Sequence, residues 1–84
     1  MSLIAFPWKI NESIAIKRRH DINGNIVASV YKIVGMGYVY SISRMEYSSE
    51  EYETIEASMT AADNKLETMK YRLINDGDPL AHLQ

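Results

Sequence analysis

The chain of 84 residues has no cysteine, only two prolines and four glycines, and no long apolar run. Without cysteine, disulfide scaffolds, thiolate zinc sites and cysteine nucleophiles are excluded, and a cytoplasmic location is expected. No apolar stretch approaches the roughly 18 residues of a membrane span, so no membrane association is expected. The 46% apolar content is too high for a disordered tail, and the length predicts one domain over residues 1–84.

Charge is distributed unevenly along the chain, although the total is only -2. Residues 1–45 contain six Lys or Arg and two acidic residues, a net charge of +4, whereas residues 46–84 contain three and nine, a net charge of -6. One half would attract anions and the other cations. Ordinary solvated charges on a sheet and a helix would give the same totals, so charge alone does not identify a partner.

Two turn signals predict a three-stranded antiparallel meander. Asn23-Gly24 suits a two-residue type I′ turn, which sets Ile16 opposite Tyr31 in the first hairpin. The third strand begins at Tyr38, after Gly35-Met36-Gly37. A two-residue loop at Met36-Gly37 would gather the apolar residues of all three strands on one face, whereas a three-residue loop would reverse the faces of the third strand. We expect the two-residue loop.

A long helix is predicted from about Ser49 to Asn75. Ser48 and Glu51 are spaced as a capping box, and Gly77 follows the helix as a stop signal. Apolar side chains repeat inside it at alternating intervals of three and four, which predicts a narrow contact face. We call this face the helix seam, and its members are Tyr52, Ile55, Met59, Ala62, Leu66, Met69 and Leu73.

The predicted length of the helix, roughly 40 Å, exceeds the length of the strands. The overhanging seam therefore predicts a homodimer through the helix, and a break near residues 60–64 that folds the helix back is the alternative. We favour the homodimer. The whole chain is predicted to be an α+β domain of βββα order, with residues 1–12 as an extended lead-in and residues 78–84 as a loose tail. Trp8, in the lead-in, is expected to close one edge of the core.

Catalytic and metal-binding signatures are missing from the sequence. His20-Asp21 flanks a hairpin turn, where neighbouring side chains point to opposite faces of the strand. His82 is far away in the chain, and no G-x-S-x-G motif surrounds any serine. Gly35-x-Gly37 lacks a third glycine and precedes a strand, so it does not predict a phosphate-binding loop. The sequence therefore predicts a non-catalytic protein without a cofactor or a metal.

The overhanging seam, a second sheet face that is half apolar and the uneven charge are typical of surfaces that a partner covers, so we expect a protein-binding role. Nucleic-acid binding is the alternative. Lys17, Arg19 and Lys32 are predicted to share one sheet face, and tyrosines that could stack on bases are plentiful. Against this, the pI of about 5.6 is far from the basic values that are typical of nucleic-acid-binding domains.

The chain resembles small proteins encoded by phages and prophages. The resemblance covers most of the length and rests on Pro7-Trp8, the hairpin at residues 22–25, the segment at residues 37–42 and the acidic helix start at residues 48–51. Some such proteins act by binding and blocking host machinery, including inhibitors of CRISPR systems. The resemblance thus implies a protein-binding role in a host cytoplasm with an unidentified host or phage partner, and it transfers no functional residue.

Overall fold

The computed structural model describes residues 3–11, 14–43 and 50–83. Four strands form an antiparallel sheet in the order β2-β3-β4-β5, and two further strands, β1 and β6, form a separate pair. The described chain is thus α+β with one α-helix, and its elements are β1 (Leu3–Ala5), β2 (Lys9–Ile10), β3 (Lys17–His20), β4 (Ile26–Lys32), β5 (Tyr38–Ile42), α1 (Ile55–Thr68), β6 (Tyr71–Leu73) and a short 3-10 helix (Pro79–Leu83). The predicted lead-in supplies β1 and β2, and the predicted loose tail contains the 3-10 helix.

The first hairpin has the predicted register but not the predicted loop. Lys17 pairs with Val30 and Arg19 with Ala28, which continues the expected alignment. The loop has three residues instead of two, because the Asp21 N–H donates to the Asn25 carbonyl at 2.8 Å. The strand pairing shifts between Arg19 and His20, and this irregularity compensates for the longer loop.

The second hairpin contradicts the predicted two-residue loop. Its loop has three residues, with Gly35 at a φ of 79°, and the Met36 N–H donates to the Ile33 carbonyl at 2.9 Å. A turn with a positive φ at its third position requires glycine, and Gly35 supplies it. Tyr40 consequently pairs with Val30, so the faces of the third meander strand are the reverse of those predicted.

The helix is much shorter than predicted. It begins after Thr54, whose hydroxyl accepts the Ala57 N–H at 3.1 Å, and its 14 residues are continuous through positions 60–64. It ends where Lys70 adopts a φ of 71° and donates its N–H to the Glu67 carbonyl at 3.0 Å. The predicted capping residue Ser48 lies outside the described residues. Fourteen residues span about 21 Å, so the overhang that favoured a helix-mediated dimer is absent.

After the helix the chain returns as β6, which pairs with β1 in parallel. Leu3 is aligned with Tyr71 and Ala5 with Leu73, and the Ile74 N–H donates to the Ala5 carbonyl at 2.8 Å. The sequence pattern predicts helix here and not a strand, because Leu73 continues the helical spacing of the seam. A three-residue strand is also too short to show alternation.

The core lies between α1 and the face of the sheet that carries Ala28 and Ile42. Ala62 and Leu66 of the helix are fully buried against this face. Partly buried aromatic side chains, including Trp8 and Tyr71, pack around the edge of the cluster. Trp8 therefore packs at the edge of the core, as the sequence predicted.

Candidate functional site

Arg19, in β3, is the largest fully buried side chain among the described residues, with only 1% of its surface exposed. Its Nε donates to Asp63 Oδ1 at 2.9 Å and its Nη2 to Asp63 Oδ2 at 3.2 Å. Nη1 donates to the carbonyls of Phe6 at 3.0 Å and Ile74 at 2.9 Å, and Nη2 also reaches Asn75 Oδ1 at 3.2 Å. All five guanidinium N–H donors are thereby used.

Trp8 completes this group of side chains. Its indole Nε1 donates to Asp63 Oδ1 at 3.0 Å, and the Arg19 guanidinium carbon lies 5.3 Å from the centre of the Trp8 rings. The contact has the geometry of a cation–π interaction. We call Trp8, Arg19, Asp63 and Asn75 the Arg19 cluster. It connects the β1–β2 junction, β3, the helix and the end of β6.

A cleft of about 460 Å³ opens above the Arg19 cluster, and its volume lies within the range of small-ligand sites. The helix contributes four lining residues at intervals of three, one and three, a spacing that puts them on one helix face. The lining consists of Pro7, Trp8, Lys17, Arg19, Glu56, Met59, Thr60, Asp63, Asn75 and Asp76.

The charges in the cleft divide into a buried pair and an accessible set. Arg19 and Asp63 neutralise each other in an ion pair whose side chains are 2% and 24% exposed. The remaining ionisable lining residues are Lys17, which is half-buried, and Glu56 and Asp76, which are exposed. The accessible part of the cleft therefore has two carboxylates and one ammonium group.

The helix seam does not form one exposed surface. Ala62 and Leu66 have no exposed surface, because they fill the chain's own core. Tyr52 precedes the helix and bridges to Tyr38, and Leu73 belongs to β6. The other predicted members are Ile55 and Met59, which are half-buried, and Met69, which is 36% exposed.

The three basic residues assigned to nucleic-acid contact share a sheet face, since Lys17, Arg19 and Lys32 alternate along paired strands. They do not act as one basic patch. Arg19 has no donor left for a phosphate, and the Lys32 ammonium lies 4.7 Å from the centre of the Tyr38 ring. Lys17 is the accessible basic residue of the cleft.

Sequence reasoning missed Asp63 and Asn75 as members of a site. Asp63 lies within residues 60–64, where the sequence offers a break in the helix, yet it belongs to the polar stripe that also includes Glu56 and Thr60. That stripe lies beside the apolar seam at helical spacing, and it was the one sequence signal that could have indicated a polar site on the helix. Asn75 carried none, because its position depends on the pairing of β6 with β1.

Exposed apolar side chains also lie at one end of the four-stranded sheet, in β2, in the described part of the β2–β3 connection and in the β4–β5 turn. Ile10 is 80% exposed, Ile14 84%, Val34 96% and Met36 46%. We call these four residues the apolar tip. Exposed apolar side chains that lie together are typical of contact surfaces for other molecules.

His20 lies at the end of β3 and is partly buried. Burial, followed by the nearby charges of Lys9 and Arg18, lowers its pKa from 6.5. Its Nδ1 is buried without a hydrogen-bond partner. Across residues 3–11, 14–43 and 50–83, no three His, Asp or Glu side chains come together as metal ligands, and no helix could span a membrane.

Comparison of the chain with protein-family models, curated proteins and solved structures finds no match.

Proposed function

We propose that this protein is a non-catalytic protein-binding module and that the cleft beside Trp8 receives a segment of its partner. The observation that carries the proposal is the Arg19 cluster. Its buried guanidinium forms hydrogen bonds to the helix through Asp63, to the segment before Trp8 through the Phe6 carbonyl and to the chain after β6 through Ile74 and Asn75. Walls that are fixed before binding lose little conformational entropy when a partner enters. Small phage- and prophage-encoded proteins, which the chain resembles, include proteins that bind host machinery, and this agrees with a binding role.

The composition of the cleft also favours a protein partner over a reaction. Trp8 offers an aromatic surface with a hydrogen-bonded indole, and tryptophan is among the residues that dominate binding energy at protein interfaces. Met59 adds a flexible apolar side chain, a type that adapts to different contact surfaces. The exposed carboxylates of Glu56 and Asp76 and the half-buried Lys17 line the same cleft, and protein interfaces likewise combine an apolar centre with polar residues at the rim.

Site-specific photo-crosslinking tests the proposal. A photoreactive amino acid replaces Thr60, which is exposed and lines the cleft, and in a control protein it replaces Glu67, which is exposed on the same helix outside the cleft. In cells that express the protein, we expect one defined protein adduct from position 60 and not from position 67. Equal adducts from both positions, or none from position 60, would contradict the assignment of the cleft.

We propose in addition that self-association uses the apolar tip and not the helix seam. The tip exposes four apolar side chains, whereas Ala62 and Leu66 of the seam are inside the core. Sedimentation velocity over a wide concentration range tests this. We expect a dimer near twice 9.6 kDa that Val34→Glu dissociates, because the new charge would be buried in the contact. A monomer at all concentrations, or a dimer that Val34→Glu leaves intact, would contradict it.

A further inference from the structure

We propose that the cleft beside Trp8 binds a positively charged side chain, an arginine of the partner segment. This inference depends on the proposed function, since it names the chemistry of the residue that the cleft receives. Because all five N–H donors of Arg19 are used inside the protein, the most buried cation of the cleft offers nothing to an anionic ligand.

The accessible charges then decide the sign of the ligand. The charges of Arg19 and Asp63 cancel, so the accessible charges are the two negative charges of Glu56 and Asp76 and the one positive charge of Lys17. The accessible charge is therefore net negative, and a cation is attracted to it. A guanidinium group suits this arrangement because it donates several hydrogen bonds to carboxylates in fixed directions.

The uncharged lining fits the rest of an arginine side chain. Met59 is half-buried in the cleft wall and offers an apolar surface to the three methylene groups of the stem. The Arg19 guanidinium already covers part of the Trp8 rings, but Trp8 is only partly buried, and its accessible part attracts a second guanidinium as aromatic rings do. The cleft combines carboxylates, an aromatic ring and an apolar wall, which together match the parts of an arginine side chain.

Trp8 is the only tryptophan, so its fluorescence reports directly on the cleft. The probe is Nα-acetyl-arginine amide, and its matched control is Nα-acetyl-citrulline amide, which has nearly the same shape without the charge. We expect the arginine probe to change Trp8 fluorescence with saturation, at least about tenfold more tightly than the citrulline probe. Nα-acetyl-glutamate amide should bind no more tightly than the citrulline probe.

Charge-neutralising variants identify the groups responsible. Glu56→Gln and Asp76→Asn should each weaken binding of the arginine probe about two- to fivefold, as expected for an exposed charge pair. Lys17→Gln should strengthen it by a similar factor. Glu67→Gln removes the same charge from the same helix outside the cleft and should leave the affinity unchanged apart from the small effect of net charge. Circular dichroism confirms that each variant is folded.

Three results would overturn the inference: equal binding of the arginine and citrulline probes, tighter binding of the glutamate probe, or no saturable response to the arginine probe. Each is distinguishable from failure of the proposed function. If crosslinking from position 60 captures a partner while the probes show no charge preference, the cleft binds a protein segment of different chemistry. If crosslinking fails and the arginine probe binds, the cleft takes a cationic small molecule and the protein-binding proposal fails.

Discussion

Replacement of Arg19 by methionine tests the role of the Arg19 cluster in stability. Arg19→Met keeps much of the apolar stem but removes every N–H donor. It leaves the Asp63 carboxylate, 24% exposed, without its counter-charge, and it leaves the carbonyls of Phe6 and Ile74 without these hydrogen bonds. Breaking a buried ion pair from one side costs about 3–5 kcal/mol. We expect a loss of about 4 kcal/mol, against a total of roughly 4–13 kcal/mol for a chain of this length.

The assay is urea denaturation followed by circular dichroism, because the fluorescence of Trp8 would change with the cluster itself. Asp63→Asn should cost a similar amount, since it leaves the guanidinium buried at 1% exposure without a neutralising charge. The double variant should lose less than the sum of the two single losses, because the paired charges disappear together.

Arg72→Met is the matched control. Arg72 is exposed on β6, so the same substitution there should change the free energy of unfolding by less than about 0.5 kcal/mol. The reasoning would be refuted if Arg19→Met lost no more stability than Arg72→Met. It would also be refuted if the losses from Arg19→Met and Asp63→Asn were strictly additive in the double variant.

Three further predictions concern the turn, the histidine and the helix cap. Gly37→Ala should lower the free energy of unfolding, measured by urea denaturation, by about 2 kcal/mol because the new Cβ would overlap the Tyr52 carbonyl. At Gly24 the new Cβ would meet open space, so Gly24→Ala should lower it by only about 1 kcal/mol, through the positive φ of 82°. Because burial lowers the pKa of His20, the imidazole binds a proton at higher pH in the unfolded chain than in the folded protein. The free energy of unfolding should therefore fall as the pH drops through 6.5, and His20→Gln should remove this part of the pH dependence. Thr54→Ala should cost about 1 kcal/mol in the same denaturation assay, through loss of the Ala57 cap, and Thr54→Ser should retain the cap. The contact of Gly37 with Tyr52 would be contradicted if Gly37→Ala left the free energy of unfolding unchanged, and the Thr54 cap if Thr54→Ala did so. The burial of His20 would be contradicted if His20→Gln left the pH dependence unchanged.

The sequence predicts local structure well where one residue type has one dominant conformation. Asn23-Gly24 marked a hairpin, and the register of Lys17 against Val30 was predicted from it. The second hairpin was misread because either Gly35 or Gly37 could occupy the turn. Gly37 is needed for a different reason, the close approach of the Tyr52 backbone, and that contact joins segments whose proximity no local pattern reveals.

The end of the helix likewise could not be predicted from a local sequence pattern. Spacings of three and four identified Ala62 and Leu66 as contact residues, but these residues pack in the chain's own core and not in a dimer contact, and the pattern continued through Leu73 in a strand. The end of the helix depends on Lys70 in a left-handed conformation and on the pairing of β6 with β1. The pairing is a tertiary effect that overrides helix propensity.

The burial of Arg19 could not be predicted for a related reason. A basic residue in a strand is exposed in most proteins, and Arg19 was therefore interpreted as a surface contact. Its burial is stabilised by acceptors from Phe6, Asp63 and Ile74, which are 13, 44 and 55 positions away in the chain. Only the assembled fold brings these acceptors together.

The most direct test of the account is a solution NMR measurement on the Arg19 guanidinium. In a ¹⁵N-labelled protein, we predict a resolved Nε–H signal from Arg19 that exchanges slowly with water and shows a nuclear Overhauser contact to the indole of Trp8. Asp63→Asn should accelerate that exchange, while the exposed Arg72 exchanges fast in both proteins. An Arg19 signal that exchanges as fast as that of Arg72, without a contact to Trp8, would contradict the buried cluster and the cleft built on it.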